Sequence, residues 1–372
     1  MSSRILVTGG AGFVGSHLAD ELLSRGYRVR ALDNLCSQVH GGNAKRPSYL
    51  DPRVELVVGD VRDAQTVQSA LSGSDAVMHL AAAVGVGQSM YRIGEYTSVN
   101  CVGTAVLLEE LAKKPPARLL VVSSMSVYGE GRYRAADGSV RDGVERNLEH
   151  LRAGRWEPVS ESGAALSPIS TPEHKAPNLS SIYALTKYDQ ERMCLMVGRA
   201  YGIPTVALRL FNTYGPRQAL GNPYTGVLAN FAARLLNGKP PSVFEDGKQR
   251  RDFVSVHDVA RACRLALELD SAVDQVINIG SGQPVSVLEA AERVARALDR
   301  PKLAPEVTGR YRMGDIRHCF ADITRARQLL GYEPQVSLED GIGELGAWLQ
   351  DQKAIDRIDT ARGELESRGL SL

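Results

Sequence analysis

The sequence predicts an α/β protein: a doubly wound parallel sheet with helices on both faces, joined to a smaller mixed α/β region. Two observations carry this. Over the first 120 residues, short apolar runs alternate with stretches of helical spacing, the pattern of repeated strand–helix units. The first apolar run then turns into the first helical stretch through a glycine-rich segment, Thr8–Gly15.

The elements follow in order. Arg4–Thr8 reads as a buried strand. Phe13–Arg25 reads as a helix, with Phe13, Leu18, Leu22 and Leu23 on one side. Tyr27–Leu32, Val54–Val58, Ala76–Leu80 and Arg118–Val122 read as further strands, with a helix over Tyr96–Lys114. A second long helix, Tyr183–Tyr201, leads into a strand at Pro204–Leu210. Gly131–Pro177 stands apart: it is polar, weakly periodic and too long for an ordinary connection. After Asn212 the pattern changes to short helices and loops, within which Val276–Gly280 reads as a strand able to rejoin the main sheet. The expected division is therefore a first domain over 1–211, carrying the 131–177 insert and recovering 254–280, and a second over 212–372. Gln350–Leu372 reads as a terminal helix.

Composition narrows the function. Lys plus Arg total 44 against 43 for Asp plus Glu, a balance that favours neither a nucleic-acid partner nor a membrane surface. The five cysteines are scattered without C-x-x-C spacing, which fits a reducing cytoplasm better than a disulfide framework or a zinc site. There is no signal-peptide pattern at the start, and no apolar run approaches a bilayer span.

The glycine turn carries G-x-G-x-x-G as Gly10, Gly12 and Gly15, and G-x-x-G-x-x-G through Gly9. Glycines there let a backbone approach a pyrophosphate seated on free helix N–H groups, the device of a Rossmann-type domain. Phe13 and Val14 open the helix beside it. Asp33 ends the next strand, 18 residues beyond Gly15. A carboxylate there accepts the ribose hydroxyls of adenosine and repels a 2′-phosphate, so NAD is expected rather than NADP; the alternative is that Asp33 and Asn34 only form a turn. Asp60, followed by Val61, either hydrogen-bonds adenine or caps the helix that begins near Asp63.

Ser123 and Ser124 end the fifth strand, and Tyr183 and Lys187 stand at i and i+4 of a helix, on one face. Such a set would serve as an alcohol-oxidation apparatus. Lys187 and a positive nicotinamide would lower the Tyr183 pKa from about 10. The phenolate would take a hydroxyl proton as hydride leaves, with Ser124 bonded to the same oxygen. A Y-x-x-x-K pair alone occurs by chance; it gains weight from the glycine turn and the serines.

Taken together, these residues resemble the NAD-dependent epimerase/dehydratase branch of the extended short-chain dehydrogenases. The resemblance rests on Thr8–Gly15, Asp33-Asn34, Asp60-Val61, His79–Ala83, Asn100, the serine pair, Tyr183 with Lys187, and Leu210–Pro216, and spans roughly the first 350 residues apart from the insert. It implies that Leu80, Ala81, Ala82 and Asn100 line the cofactor, and that Phe211 and Asn212 lie between cofactor and sugar nucleotide. It also implies that Phe244 borders the base, that Arg251 and Arg312 hold a diphosphate, and that Asp315 holds the ribose. Without it, these arginines read as surface residues.

Family members share oxidation to a keto-sugar and differ afterwards. Dehydratases carry Asp-Glu straight after the Ser/Thr, and decarboxylases a Glu at the second place; here the positions hold Met125 and Ser126. With no local acid for elimination, the resemblance implies 4-epimerisation of a UDP- or dTDP-linked sugar, with dehydratase, decarboxylase, reductase and non-catalytic NAD-sensor roles as alternatives. There are three departures. Val84 stands where relatives often have Lys, and Cys319 where Tyr is common in the sugar pocket. Ser124 and Tyr183 are 59 residues apart because of the insert, which reads as a lid, an oligomer contact or a disordered loop. His79 reads as structural, and His318 beside Cys319 does not make a metal site. The long helices suit an intersubunit four-helix bundle, hence a homodimer, or simple burial against the sheet.

Overall fold

The computed structural model describes residues 3–42, 45–220, 224, 226–312, 314–350, 352 and 358–370. Seven strands form the central sheet: β1 (Arg4–Thr8), β2 (Arg28–Asp33), β3 (Glu55–Val58), β4 (Ala76–His79), β5 (Arg118–Ser124), β6 (Thr205–Leu210) and β7 (Val276–Ile279). Their order is β7-β6-β5-β4-β1-β2-β3, and every pairing is parallel. β7 thus rejoins the sheet beside β6, as Val276–Gly280 predicts.

Side chains alternate across each strand, so each face has its own core. Ile5 and Val7 join Met78, Leu120 and Leu208 on one face, while Leu6 joins Val77, Leu119, Val121 and Ala207 on the other. On the first face, helix α1 (Phe13–Ser24) packs against Val256–Glu268. On the second lie α2 (Ala64–Leu71), α3 (Gly103–Lys113) and α4 (Ile182–Tyr201). Chain order reverses between β4 and β1, and the crevice at the carboxyl ends of these strands is where such folds bind ligands.

The expected single helix over Tyr96–Lys114 is broken. Ile93–Tyr96 is α-helical, Thr97–Val102 is a π-helical turn, and α3 begins at Gly103. Such turns concentrate at functional sites, and this one carries Asn100.

A third apolar cluster draws on residues 214–349, from Val227–Leu236, Val287–Ala297 and Leu338–Gln350. Beside it Arg250–Ser255 pairs with Asn212–Tyr214, Pro284–Ser286 and His318–Cys319. A helix over Ile358–Glu366 falls inside the segment read as terminal helix. No helix among the described residues is long and apolar enough to cross a membrane.

The insert is folded, so its disordered reading is set aside. Arg132–Arg134 pairs antiparallel with Val140–Arg141 and with Ser167–Ile169, and Asn147 caps a short helix at Leu148–Arg152. It docks on the strand around His318: Gly131 N–H donates to His318 O (2.7 Å) and Thr171 N–H to Phe320 O (2.9 Å). Ion pairs reinforce this. The fully buried Arg317 reaches Glu157 of the insert as well as Glu245 and Asp246. Arg146 of the insert reaches Glu130 (3.0 Å) and Glu245 (2.6 Å).

Candidate active site

A cleft of about 720 Å³ opens at the carboxyl ends of the sheet strands. Gly9, Gly12, Phe13, Val14 and Gly15 form one wall; Asp33, Asn34, Asp60 and Val61 one end; Leu80, Ala81, Ala82 and Val84 another side; Ser124, Tyr183, Lys187, Phe211 and Asn212 the far end. Eighteen residues that the sequence singles out thus meet there.

At Gly10 and Gly15 the turn has no room for a Cβ. A Cβ on Gly15 would lie 2.2 Å from Gly9 O and 2.7 Å from Gly10 Cα, both backbone atoms. Gly15→Ala must therefore open the turn, and we expect NAD affinity to fall at least roughly tenfold, ~1.4 kcal/mol; NAD retained by the purified protein checks this.

Asp33 Oδ2 accepts Ala11 N–H (3.0 Å) and Oδ1 accepts Leu35 N–H (2.9 Å). Oδ2 keeps a lone pair free for a hydroxyl donor, while Oδ1 also has His40 Nε2 at 3.5 Å. Asp60 is gripped by Arg62 through Nε (2.8 Å) and Nη2 (2.7 Å), and these bonds hold its pKa down to about 2. Asp60 does not cap the following helix: Asp63 does, accepting Thr66 N–H at 2.8 Å. Asn100 is fully buried behind the wall. Its side chain clamps Ala83 at N–H (2.7 Å) and at C=O (3.1 Å), so it shapes the cleft without lining it.

At the chemical end, Ser124 hydrogen-bonds the Tyr183 phenol, whose pKa burial raises. Ser126 Oγ donates to Ser124 Oγ (2.9 Å), directing the Ser124 proton outward. Lys187 is 3% exposed, and burial lowers its pKa to about 8. The acidic residues lining the cleft are Asp33, Asp60 and Glu95, and Glu95 is paired with Arg92 (3.1 Å). None comes from the Ser124–Tyr183 end.

Phe244, Arg251, Arg312, Asp315 and Cys319 gather outside the cleft lining, near Val243 and Phe253 of the third apolar cluster. The Arg312 guanidinium stacks 4.6 Å above the Phe244 ring and bonds Asp315 (2.9 Å). Arg251 gives its hydrogen bonds to the main-chain carbonyls of Arg250, Ile316 and Arg317, and burial lowers its pKa. Arg251 is part-buried on its strand, and none of these three bonds goes to a carboxylate. Cys319 is buried beside it, register-paired with Arg251. Arg251 precedes Phe253 by two on one strand, and Phe253 lines the cleft, which links the two groups. Asn212 Oδ1 and Gln218 Oε1 are buried cleft atoms without a protein partner. Gln218 carries no motif, so only its position reveals it. Gln190 and Glu191, beneath Lys187, are also missed by motif; their signal is the i+3 and i+4 spacing from Lys187. Among the described residues no cluster could hold a metal ion, and all five cysteines are free.

A nucleotide cradle at the β-strand ends and a Ser–Tyr–Lys set at its far side define a hydride-transfer enzyme of the extended short-chain dehydrogenase type. The family model for the NAD-dependent epimerase/dehydratase family matches residues 5–145 and 159–280. The dTDP-L-rhamnose 4-epimerase of Burkholderia thailandensis is 39% identical over 353 residues, 94% of this chain and 95% of its own. The UDP-N-acetyl-alpha-D-glucosaminuronate decarboxylase of Bacillus cytotoxicus is 30% identical over 94% of this chain and 99% of its own. Among solved structures, the UDP-glucose 4-epimerase of Thermotoga maritima, with UDP-glucose, superposes with TM-score 0.76 at 30% identity, covering 93% and 98% of the two chains. The UDP-glucuronic acid 4-epimerase of Bacillus cereus, with UDP-glucuronic acid and NAD, gives TM-score 0.74 at 29% identity, covering 93% and 99%. The chain belongs to the NAD-dependent epimerase/dehydratase family, and its cofactor is NAD.

Proposed function

We propose that this protein is a nucleotide-sugar 4-epimerase, acting on a UDP- or dTDP-linked hexose. The observation that carries this is the chemical end of the cleft: Ser124, Tyr183 and Lys187 converge there, and the described acidic residues that line the cleft are Asp33, Asp60 and Glu95, while Glu191 behind them is bonded to Arg209 and Ser123. Oxidation and re-reduction are provided for, whereas eliminating water or carbon dioxide lacks an acid–base pair. The glycine turn, with no room for a Cβ at Gly10 or Gly15, fits the pyrophosphate of NAD; Gly9, Gly12, Phe13, Val14 and Gly15 would hold it. Asp33 and Asn34 would take the adenosine ribose, with Asp60, Val61, Leu80, Ala81, Ala82 and Phe211 along the rest and Asn100 behind. When bound, NAD supplies hydride acceptance and return at C4.

Tyr183 removes the C4 hydroxyl proton and returns it, and Ser124 aligns the oxygen. Lys187, as an ammonium, lowers the phenol pKa. The rate should fall as pH rises through about 8, where Lys187 loses its proton. Arg251 takes the diphosphate, with Arg312, Phe244 and Asp315 around base and ribose; Asn212, Val84, Ser126 and Cys319 bound the sugar. In this division residues 1–211 and 254–280 serve the cofactor and the remainder the sugar nucleotide. Exposed Leu185 and Met196 on α4, with Val102, support a helix-paired homodimer, and unpaired thiols support a cytoplasmic setting.

The experiment is mass spectrometry with NMR on UDP- and dTDP-sugars, dTDP-L-rhamnose included, with no added cofactor. An isomer of unchanged mass is expected; a product lighter by water or carbon dioxide overturns the reading.

A further inference from the structure

Behind Lys187 a chain of buried polar groups runs from α4 to the end of β1. Lys187 Nζ donates to Gln190 Oε1 at 2.6 Å. The Gln190 amide nitrogen lies 2.8 Å from Thr104 Oγ1 and 3.3 Å from Ala81 O. Thr104 Oγ1 is 2.6 Å from Asn100 O and 2.8 Å from His79 Nε2. His79 Nδ1 is 2.8 Å from Thr8 Oγ1, which receives the N–H groups of Leu80 and Ala81, each at 3.2 Å.

Groups that can play only one role direct the bonds of this chain, and the 3.1 Å approach of the Gln190 amide nitrogen to His79 Nε2 is then a contact of two donors. Two main-chain N–H groups donate to Thr8 Oγ1, so its hydroxyl proton goes to His79 Nδ1. The imidazole is neutral, because burial drives its pKa down to about 3. Its one ring proton therefore sits on Nε2 and goes to Thr104. Thr104 gives its own proton to the Asn100 carbonyl, so its oxygen accepts from His79 and from the Gln190 amide. The second amide hydrogen goes to the Ala81 carbonyl. Both hydrogens of the Gln190 amide are committed, and its carbonyl oxygen is left to face Lys187.

We propose that Gln190 is a positioning residue for the reaction: its immobilised carbonyl oxygen keeps Lys187 an ammonium aligned with Tyr183. This rests on the reading of Lys187 given above. The other ionisable groups around Lys187 do not replace Gln190. Glu191, next to it on α4, is spent on Arg209 (2.6 and 2.9 Å) and Ser123 (2.7 Å). Cys194, also on α4, is an uncharged thiol whose pKa burial pushes up to about 12. His79 on β4 is neutral, and Tyr183 is the group to be activated. The residue type follows from the task. A carboxylate at 190 would pair with the ammonium and cancel its charge at Tyr183; an amide oxygen stabilises the cation and leaves the charge in place.

The test is the pH dependence of kcat/KM for Gln190→Met and Gln190→Glu, with NAD content and melting temperature measured in parallel. Burial opposes the cation, so without its acceptor Lys187 loses its proton at lower pH. Gln190→Met should move the alkaline fall down by about one pH unit, a loss of about tenfold at pH 8.5 and little at pH 6.5. Gln190→Glu should move the same limb upward. Should Gln190→Met not fold, Thr104→Val keeps Gln190 but removes an anchor, and should give a smaller downward shift. Equal losses at every pH, with the limb unmoved, overturn the proposal and leave Gln190 a packing residue. Lys187→Met separates the two readings. If it stays active with the same alkaline fall, the role of Lys187 fails; if it is inactive while the Gln190 limb is unmoved, the Gln190 proposal alone fails.

Discussion

Tyr183→Phe is expected to lower kcat by about 10³-fold, within the 10²–10⁴-fold range of positioned acid–base groups. The substitution removes one oxygen and leaves the packed ring in place. The ring is 9% exposed and meets Tyr96 edge-on at 6.4 Å. The variant should therefore keep its fold, its bound NAD and its affinity for the sugar nucleotide. Loss of kcat with KM near the parent value would mark an interaction made at the transition state. A variant retaining more than a tenth of the parent rate would remove Tyr183 from the chemistry.

Arg317→Met is expected to destabilise the protein by ~3–5 kcal/mol, the cost of breaking a buried ion pair from one side. Arg317 is fully buried and holds Glu157, Glu245 and Asp246 together. The Glu245 side chain is itself 2% exposed and would keep only Arg146. Because Glu157 belongs to the insert, the insert should loosen first. A melting temperature lowered by several degrees and new protease cuts within 131–177 are the expected readouts. Acid should act on the same contact. Burial works against the Glu157 carboxylate, but its bonds to His318 and Arg317 hold the pKa down to about 2, below the ordinary 4.5. A carboxylate with a depressed folded pKa stabilises above its unfolded value, so this contribution is lost as pH falls from about 4.5 to about 2. Unchanged melting and an unchanged cleavage pattern in Arg317→Met would show that the insert is held by other contacts.

The cofactor half of the site was legible because its chemistry is local. A glycine turn, a strand-end acid and a Y-x-x-x-K pair each specify geometry within one or two elements, where periodicity and backbone sterics dictate the result. Asp60 was open for the opposite reason: a carboxylate before a helix can cap it or face a ligand, and only the packed structure shows that Asp63 takes the cap while Arg62 holds Asp60. The π-turn at Thr97–Val102 has no sequence rule. Its one visible correlate is Gly103, where a Cβ would lie 2.7 Å from Val61 Cγ2, a contact known only once α3 is packed.

The sequence by itself determined the parallel sheet, the order of its strands along the chain and the glycine turn, strand-end acid and Tyr183–Lys187 pair of the cleft, since each follows from short-range periodicity and turn chemistry. Only the tertiary structure decided what the insert does and what surrounds Lys187. Arg317 meets Glu157 across 160 positions, and Gln190 meets Ala81 across 109. Contacts at that separation depend on how whole elements pack, and no local pattern encodes which buried donor will find which acceptor.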